Sequence, residues 1–223
     1  MERKIKVSPS IIAVNYNDEK VLNSSLETLK KSKVELLHLD VMDGKFVDNK
    51  TFGAEFVSKM RNSTDFILDT HLMIENPEES LDQYIDAGAD IITVHYESTK
   101  NLKSVLQKIK ANSILAGVSI KPQTDIKVLF DLIDEGLIDL VLVMTVEPGK
   151  CGQKFISDTL FKIRKLRLKY PKLDIQVDGG VNLDNIEILV HLGANIVVSG
   201  SAIFNSGNPI GTIKEMKSYK YDA

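Results

Sequence analysis

The amino-acid sequence predicts an α/β fold, a single (β/α)8 TIM barrel that spans residues 1–223. The first observation is a repeated alternation between short β-branched or leucine-rich runs and stretches with helical spacing. The second is continuity, because no linker, low-complexity segment or shift in composition divides the chain. A doubly wound open sheet is the alternative, but residues 8–16 lack the glycine fingerprint that usually follows the first strand of that fold.

The predicted strands are distributed evenly along the chain. They lie near residues 5–12, 35–41, 66–72, 90–95, 114–120, 139–145, 174–178 and 195–199. The helical stretches between them include residues 18–32, 77–87, 100–111, 125–135, 155–169 and 183–192. Gly88 and Gly193 fit the C-terminal caps of two of these helices. The junctions at 87–92 and 192–197 resemble each other, which hints at a repeated βα unit.

Composition argues against several functional classes. The formal net charge of −3 gives no basic field, so the sequence predicts no nucleic-acid partner. No apolar stretch approaches the length of a membrane span and no signal-peptide core follows the first residues, so we expect no membrane association and a cytoplasmic location. The single cysteine excludes an internal disulfide and suits a reducing compartment.

Histidines and carboxylates stand at the ends of three predicted strands. His38 and Asp40 end the second strand, His71 ends the third and Asp178 ends the seventh. Side chains two residues apart share a face of a strand, so inside a barrel these groups converge at the rim that carries the active site. Two imidazoles with two carboxylates favour one divalent metal, with Zn²⁺ as the best fit and Fe²⁺, Mn²⁺ or Co²⁺ as alternatives.

Each histidine taken alone has a simpler interpretation. Either His38 or His71 is equally well explained as a hydrogen-bonded core side chain, so the metal prediction depends on the grouping. Asp69 and His95 are candidates for holding ligands in orientation from behind. His191 falls in a predicted helix and is interpreted as a surface or packing residue.

Glycine-bearing turns follow the sixth, seventh and eighth predicted strands, at residues 148–152, 178–180 and 199–201. Backbone N–H groups in such turns suit a phosphate, and the last two loops are its usual position in these barrels. Ordinary tight turns are the alternative for any one of them. Met42, Met73 and Met144 also end strands, where methionine is more often core filling than catalytic. Cys151 has no neighbouring base and is not interpreted as a nucleophile.

Four motifs carry a resemblance to a known family. They are His-Leu-Asp-Val-Met-Asp-Gly at 38–44, Asp-Thr-His-Leu-Met at 69–73, Val-Met-Thr-Val-Glu-Pro-Gly at 143–149 and Val-Asp-Gly-Gly-Val at 177–181. With them the chain resembles the ribulose-phosphate 3-epimerase family from Ser8 to Phe204. The resemblance implies a phosphoketopentose epimerase of the pentose phosphate pathway, on a TIM barrel of the ribulose-phosphate-binding type with one divalent metal.

The resemblance also implies roles for individual residues. The metal ligands would be His38, Asp40, His71 and Asp178, and the acid/base pair would be Asp40 and Asp178. Substrate or phosphate contacts are implied for Ser10, Met42, His71, Met73, Met144, Gly149, Gly152, Gly179, Gly180, Gly200 and Ser201. Because family members often form homo-oligomers, we expect one here. Asp48, Lys150 and Cys151 depart from the family pattern, so the resemblance does not fix how the strand-six loop closes.

The expected reaction interconverts D-ribulose 5-phosphate and D-xylulose 5-phosphate by two-base proton transfer at C3 through an enediolate. One alternative is epimerisation of a six-carbon ketose phosphate such as allulose 6-phosphate, and another is a non-catalytic phosphosugar-binding barrel. A decarboxylase or aldol-type synthase is disfavoured, because those barrels carry Asp-x-Lys-x-x-Asp where this chain has His38-x-Asp40-x-x-Asp43.

Overall fold

In the computed structural model, which describes residues 2–150 and 153–222, eight parallel strands form one barrel. The strands are β1 (Lys6–Pro9), β2 (Leu36–Met42), β3 (Ile67–Met73), β4 (Ile91–His95), β5 (Leu115–Ile120), β6 (Leu140–Met144), β7 (Asp174–Asp178) and β8 (Ile196–Ser199). From β2 to β8 each strand pairs with the next, and β8 pairs with β1. A parallel bridge between Ser10 and His38 joins β1 to β2. The predicted TIM barrel is confirmed.

Helices alternate with the strands. They are α1 (Glu19–Lys31), α2 (Ala54–Ser63), α3 (Leu81–Asp86), α4 (Leu102–Ala111), α5 (Phe130–Asp134), α6 (Leu160–Lys169), α7 (Ile186–His191), α8 (Ser201–Phe204) and α9 (Pro209–Met216). The stretches predicted at 77–87 and 125–135 each begin with a 3-10 turn before a short α-helix. Gly88 and Gly193 take positive φ values of 85° and 113° directly after their helices, which confirms the predicted caps. Within the described part of the chain, no helix has the length and apolar character that a bilayer span requires.

Alternation along each strand separates two packing environments. On β6, Val141 and Val143 join the main core that lies between the barrel and its helices. Leu140, Leu142 and Met144 form a separate apolar cluster on the other face of the same strand. This is the period-two pattern of a barrel strand, with one face turned to the helices and the other to the interior.

The remainder of the barrel interior is unusually polar. Ser8, His38, Asp69, Thr93 and Gln176 are all fully buried. Buried polar groups are costly unless they pair with one another, and Ser8, His38 and Gln176 do so by sharing Asp69 as their common partner. That network lies directly behind the residues predicted to bind a metal.

At the N-terminal end of the barrel, basic side chains on three helices bind the residues that precede strands, and we call each such contact a clamp. In the first, Arg61 on α2 donates a 2.7 Å hydrogen bond to Asp90 Oδ2, and the same oxygen accepts from Leu68 N at 2.8 Å. Asp90 immediately precedes β4, so one carboxylate ties a helix end to the starts of two adjacent strands.

The same arrangement returns further along the chain. Arg167 on α6 donates to Asn195 Oδ1 at 2.9 Å, and this oxygen accepts from Ile175 N at 2.7 Å. A third clamp joins Lys110 on α4 to an aspartate before β6, with Lys110 Nζ 2.5 Å from Asp139 Oδ1. The two junctions whose sequences resemble each other thus carry the same contacts, which supports the repeated unit.

Candidate active site and metal centre

Four side chains from three strands meet at the C-terminal rim of the barrel. His38, Asp40, His71 and Asp178 each offer one ligand atom, and these atoms all lie within 4.8 Å of one another. Asp40 stands opposite His71 in the β2–β3 register, which brings the first three together. Asp178, the last residue of β7, reaches the cluster from elsewhere in the ring. The sequence prediction placed all four at strand ends, and the structure brings them together.

The donor set fits a divalent metal. The imidazole atoms His38 Nε2 and His71 Nδ1 are buried and have no hydrogen-bond partner among the described residues. Each lies 3.4 Å from Asp40 Oδ1, and they lie 3.9 and 3.8 Å from Asp178 Oδ2. Two unpaired nitrogen donors that face two carboxylates are the mixed ligand set that Zn²⁺ and related ions take.

Asp69 holds His38 from behind. Its Oδ2 lies 2.8 Å from His38 Nδ1 and also accepts hydrogen bonds from Ser8 Oγ at 2.8 Å and Gln176 Nε2 at 2.5 Å. Burial would raise the pKa of Asp69, but His38 and these donors lower it below its ordinary value. Burial would lower the pKa of His38, but Asp69 and Asp40 raise it well above its ordinary value, so the metal-free imidazole holds a proton on each nitrogen. With Asp69 on Nδ1, it is the Nε2 proton that a bound metal would displace.

The carboxylates of Asp40 and Asp178 differ in proton affinity. Burial would raise the pKa of Asp40, but the imidazoles of His38 and His71 hold this pKa well below its usual range. Burial and the neighbouring charge of Asp40 raise the pKa of Asp178 to about 6. Ser10 Oγ also donates a 2.5 Å hydrogen bond to Asp40 Oδ2. One carboxylate is therefore held ionised while the other readily takes up a proton.

An open pocket lies above the cluster. Its walls include Ser10, Asp40, Asp178 and the three methionines Met42, Met73 and Met144. The methionines are nearly buried, with at most 5% of their surface exposed, yet they line the pocket as well as filling space. An apolar wall with a few polar groups at its base is typical of a small-molecule site.

The predicted phosphate turns line the same pocket. Gly149, Gly179, Gly180, Gly200 and Ser201 all border it. Gly179 has a φ of 121°, and a Cβ there would lie 2.8 Å from Val146 N, so only glycine fits this turn. Gly152 and Cys151 lie outside the described residues.

Contacts across the pocket mouth join the strand-two and strand-six loops. Asn49 Nδ2 donates a 2.6 Å hydrogen bond to the carbonyl oxygen of Gly149. Asp48 Oδ2 and Lys150 Nζ, at two of the positions that depart from the family pattern, lie 3.9 Å apart and are both exposed. The sequence prediction did not include these contacts, because they join loops about 100 residues apart.

A second polar group lies behind His71. His95 at the end of β4 contacts His71, and Glu97 follows in the 3-10 turn Tyr96–Ser98. Burial lowers the pKa of His95 to about 4. Burial would raise the pKa of Glu97, but hydrogen bonds from His95, Thr124 and the Lys121 N–H lower it to about 2. The sequence prediction included His95 and missed Glu97, whose only signal is its place two residues after a buried histidine.

The barrel, the buried histidine–carboxylate cluster and the pocket above it define a TIM-barrel enzyme. The model of the ribulose-phosphate 3-epimerase family matches residues 6–204, and the chain belongs to this family. The cytoplasmic isoform of ribulose-phosphate 3-epimerase from Oryza sativa subsp. japonica is 39% identical over 95% of this chain and 92% of its own length. The ribulose-phosphate 3-epimerase of Bacillus subtilis is 38% identical over 97% of this chain and 100% of its own.

Solved structures support the fold. KGPDC from Streptococcus mutans has a TM-score of 0.72 at 15% identity, and the alignment covers 97% of each chain. The 3-hexulose-6-phosphate synthase of Salmonella typhimurium has a TM-score of 0.69 at 21% identity and covers 96% of this chain and 97% of its own. At these identities the likeness concerns the barrel alone.

Proposed function

We propose that the protein interconverts D-ribulose 5-phosphate and D-xylulose 5-phosphate by epimerisation at C3. Family membership supports the substrate class. The observation that carries the reaction type is the pair Asp40 and Asp178, which approach one point from separate strands at the base of the pocket.

The two carboxylates suit a two-base reaction. Epimerisation beside a ketone removes a proton from one face of a carbon and returns one to the other face. Asp40 and Asp178 come from β2 and β7, so we propose that one acts as the base on one face of C3 while the other acts as the acid on the opposite face. The roles exchange when the substrate is the other epimer.

His38, Asp40, His71 and Asp178 would hold one divalent ion, for which Zn²⁺ is our first candidate. When bound, the ion supplies positive charge close to the substrate oxygens that become negative as the enediolate forms. Asp69 orients His38 in this set, and Ser10 orients Asp40 through its 2.5 Å hydrogen bond. The three methionines exclude water from the reacting carbons.

The glycine turns would hold the substrate phosphate. They lie on the β6, β7 and β8 side of the pocket, and backbone N–H groups there can approach an anion closely. The contacts we propose are Gly149, Gly152, Gly179, Gly180, Gly200 and Ser201. Holding the phosphate there would place C3 over the carboxylates and reduce the entropy cost of the reaction.

An NMR assay in deuterated water tests this function. Ribulose 5-phosphate should give xylulose 5-phosphate with deuterium at C3, and a chelator should stop the conversion until Zn²⁺, Fe²⁺, Mn²⁺ or Co²⁺ is restored. Faster turnover of allulose 6-phosphate would instead assign a six-carbon substrate. A protein that binds both sugars but exchanges no C3 proton would be a phosphosugar-binding barrel, which would contradict the proposal.

The predictions about domain organisation, oligomeric state and cellular location need measurements other than the activity assay. A single domain, a homo-oligomer and a cytoplasmic location stay predictions. Light scattering of the purified protein would measure the number of copies directly.

A further inference from the structure

His71 has a second histidine behind it where His38 has a carboxylate. The Nε2 atoms of His71 and His95 lie 2.8 Å apart, and their ring centroids are 4.9 Å apart. Both side chains are fully buried. Two ring nitrogens at this distance share one proton, so one of them donates and the other accepts.

The direction of this hydrogen bond follows from the cluster. Our inference rests on the proposed function in one respect, because it takes His71 Nδ1 as a metal ligand. A ligand nitrogen carries no proton, so the proton of neutral His71 must be on Nε2. His95 Nε2 must then accept, which leaves the His95 proton on Nδ1.

Glu97 provides the acceptor for that proton. Its Oε2 lies 3.4 Å from His95 Nδ1. Its other oxygen, Oε1, accepts a 2.9 Å hydrogen bond from Lys121 N and a short one from Thr124 Oγ1. The carboxylate is thus held with one oxygen on the β5 loop and the other toward the histidine.

The loop that orients Glu97 is itself anchored. Lys162, nearly buried on α6, donates from Nζ to the carbonyl oxygens of Lys121, Pro122 and Thr124 at 2.7–3.0 Å. The ring of Phe46 packs on His95 with centroids 4.8 Å apart. Loop and ring together restrict movement of His95 and Glu97.

We propose that Glu97, acting through His95, fixes the tautomer in which His71 binds the metal. Glu97 and His95 are then positioning residues, since neither offers an atom to the cluster. The two ligand histidines would be controlled differently: Asp69 contacts His38 directly, whereas Glu97 contacts His71 through an intermediate imidazole. The arrangement extends the usual carboxylate–histidine–metal pattern by one residue.

The isosteric change Glu97→Gln should reverse the direction of the hydrogen bonds that run from His71 through His95 to residue 97. The backbone N–H of Lys121 can only donate, so it should hold the amide oxygen of the new side chain at the Oε1 position. The amide nitrogen would then donate to His95 Nδ1, which moves the His95 proton to Nε2. His95 would in turn donate to His71 Nε2 and leave the His71 proton on Nδ1, where it obstructs the metal.

Zinc affinity is the first readout. Competition with a chromophoric chelator should show that Glu97→Gln weakens Zn²⁺ binding by about 10–100-fold, the usual effect of changing a residue that orients a ligand. Asp139→Asn is the matched control. Like Glu97, Asp139 accepts a hydrogen bond from a backbone N–H, and it also pairs with the Lys110 side chain, but it lies at the other end of the barrel from the metal cluster. Its Zn²⁺ affinity should stay within about twofold of wild type. Thermal melts of the metal-free proteins separate lost affinity from lost folding.

The second readout needs no variant. Long-range ¹H–¹⁵N correlation spectra of the Zn²⁺-loaded wild-type protein should show His95 protonated on Nδ1 and bare on Nε2, with His71 protonated on Nε2. A His95 proton on Nε2, or a Glu97→Gln affinity equal to wild type, would overturn the proposal while the epimerase function stands. A wild-type protein that binds no Zn²⁺ at His71 would overturn this inference, and absent C3 exchange would separately overturn the proposed function.

Discussion

His38 and Asp69, opposite each other on β2 and β3, share a buried hydrogen bond of 2.8 Å between Nδ1 and Oδ2. The register that pairs these strands also sets Asp40 opposite His71, so one strand pairing brings three proposed ligands together with the carboxylate that supports one of them. The ionised carboxylate holds one ring nitrogen, so it is the other that would bind a metal. The orientation of His38 within the candidate metal centre is therefore built into the sheet.

Asp69→Asn should weaken Zn²⁺ binding by about 10–100-fold, because an amide holds the His38 proton less firmly on Nδ1. Chelator competition on the purified variant measures the effect. Ser8→Ala is the control, since it removes another donor to Asp69 and leaves the His38 contact in place. If both variants lost affinity equally, general loosening of the interior would explain the result better than the His38 contact.

Asp178→Asn should lower kcat by about 10²–10⁴-fold or more, since an amide cannot exchange a proton with C3. Turnover and metal content should be measured together, because Asp178 is also a proposed ligand. Asp174→Asn, at the opposite end of β7, should keep nearly wild-type turnover. Substantial epimerisation by metal-loaded Asp178→Asn would contradict the two-base assignment.

The same Asp178→Asn variant should be more stable than the wild type at neutral pH when both are metal-free. The pKa of Asp178 is raised from 3.8 to about 6 in the folded protein, so the folded state binds more protons between these values and loses stability as pH rises through them. Removing the carboxylate should recover about 3 kcal/mol above pH 6. The difference should disappear near pH 4. Urea unfolding at pH 4 and pH 8 tests both statements, and a variant that is less stable at pH 8 would contradict them.

Ser201→Asp should raise KM for the phosphorylated ketose by about 10–100-fold, the equivalent of losing a charge-assisted hydrogen bond. A carboxylate beside Gly200 would repel the phosphate that we propose to bind there. Zn²⁺ affinity should not change, because Ser201 is not in the ligand cluster. Ser201→Ala keeps the backbone N–H and should have a much smaller effect. An unchanged KM for Ser201→Asp would place the phosphate elsewhere.

Gly117→Ala should destabilise the barrel by about 1–3 kcal/mol, because a larger side chain overpacks the interior. A Cβ at Gly117 would overlap Oγ1 of Thr93, its partner on β4. Thr93→Ala removes that oxygen, so the double variant should lose less than the sum of the single variants. Additive losses in urea unfolding would show that Thr93 is not the obstacle.

The sequence was sufficient to predict the strands and the grouping of the histidines and carboxylates at their ends for a definite physical reason. Each strand is an apolar run bounded by turn residues, and period-two alternation puts His38 and Asp40 on one face. Helix α2 is not among the helical stretches identified from the sequence, because its buried stripe of Phe56, Val57 and Met60 is short and surrounded by polar residues.

The environment behind His71 could not be predicted in the same way. Glu97 lies in a 3-10 turn, where strand alternation no longer applies, and its partner Lys121 is 24 residues away. His95 reaches His71 across the β3–β4 pair, and Phe46 covers it from another loop. Contacts of this kind arise from three-dimensional packing and leave no periodic signal.

The clamps of Arg61, Lys110 and Arg167 share no residue with the metal centre and lie at the other end of the strands. Each links a helix end to the starts of the next two strands without using any loop at the pocket mouth. Loops at the mouth can therefore change length or sequence while the attachments that hold α2, α4 and α6 to the barrel remain intact. The chain is accordingly well suited to loop grafting, in which the loops that determine substrate choice are replaced while the contacts at the N-terminal end of the barrel stay unchanged.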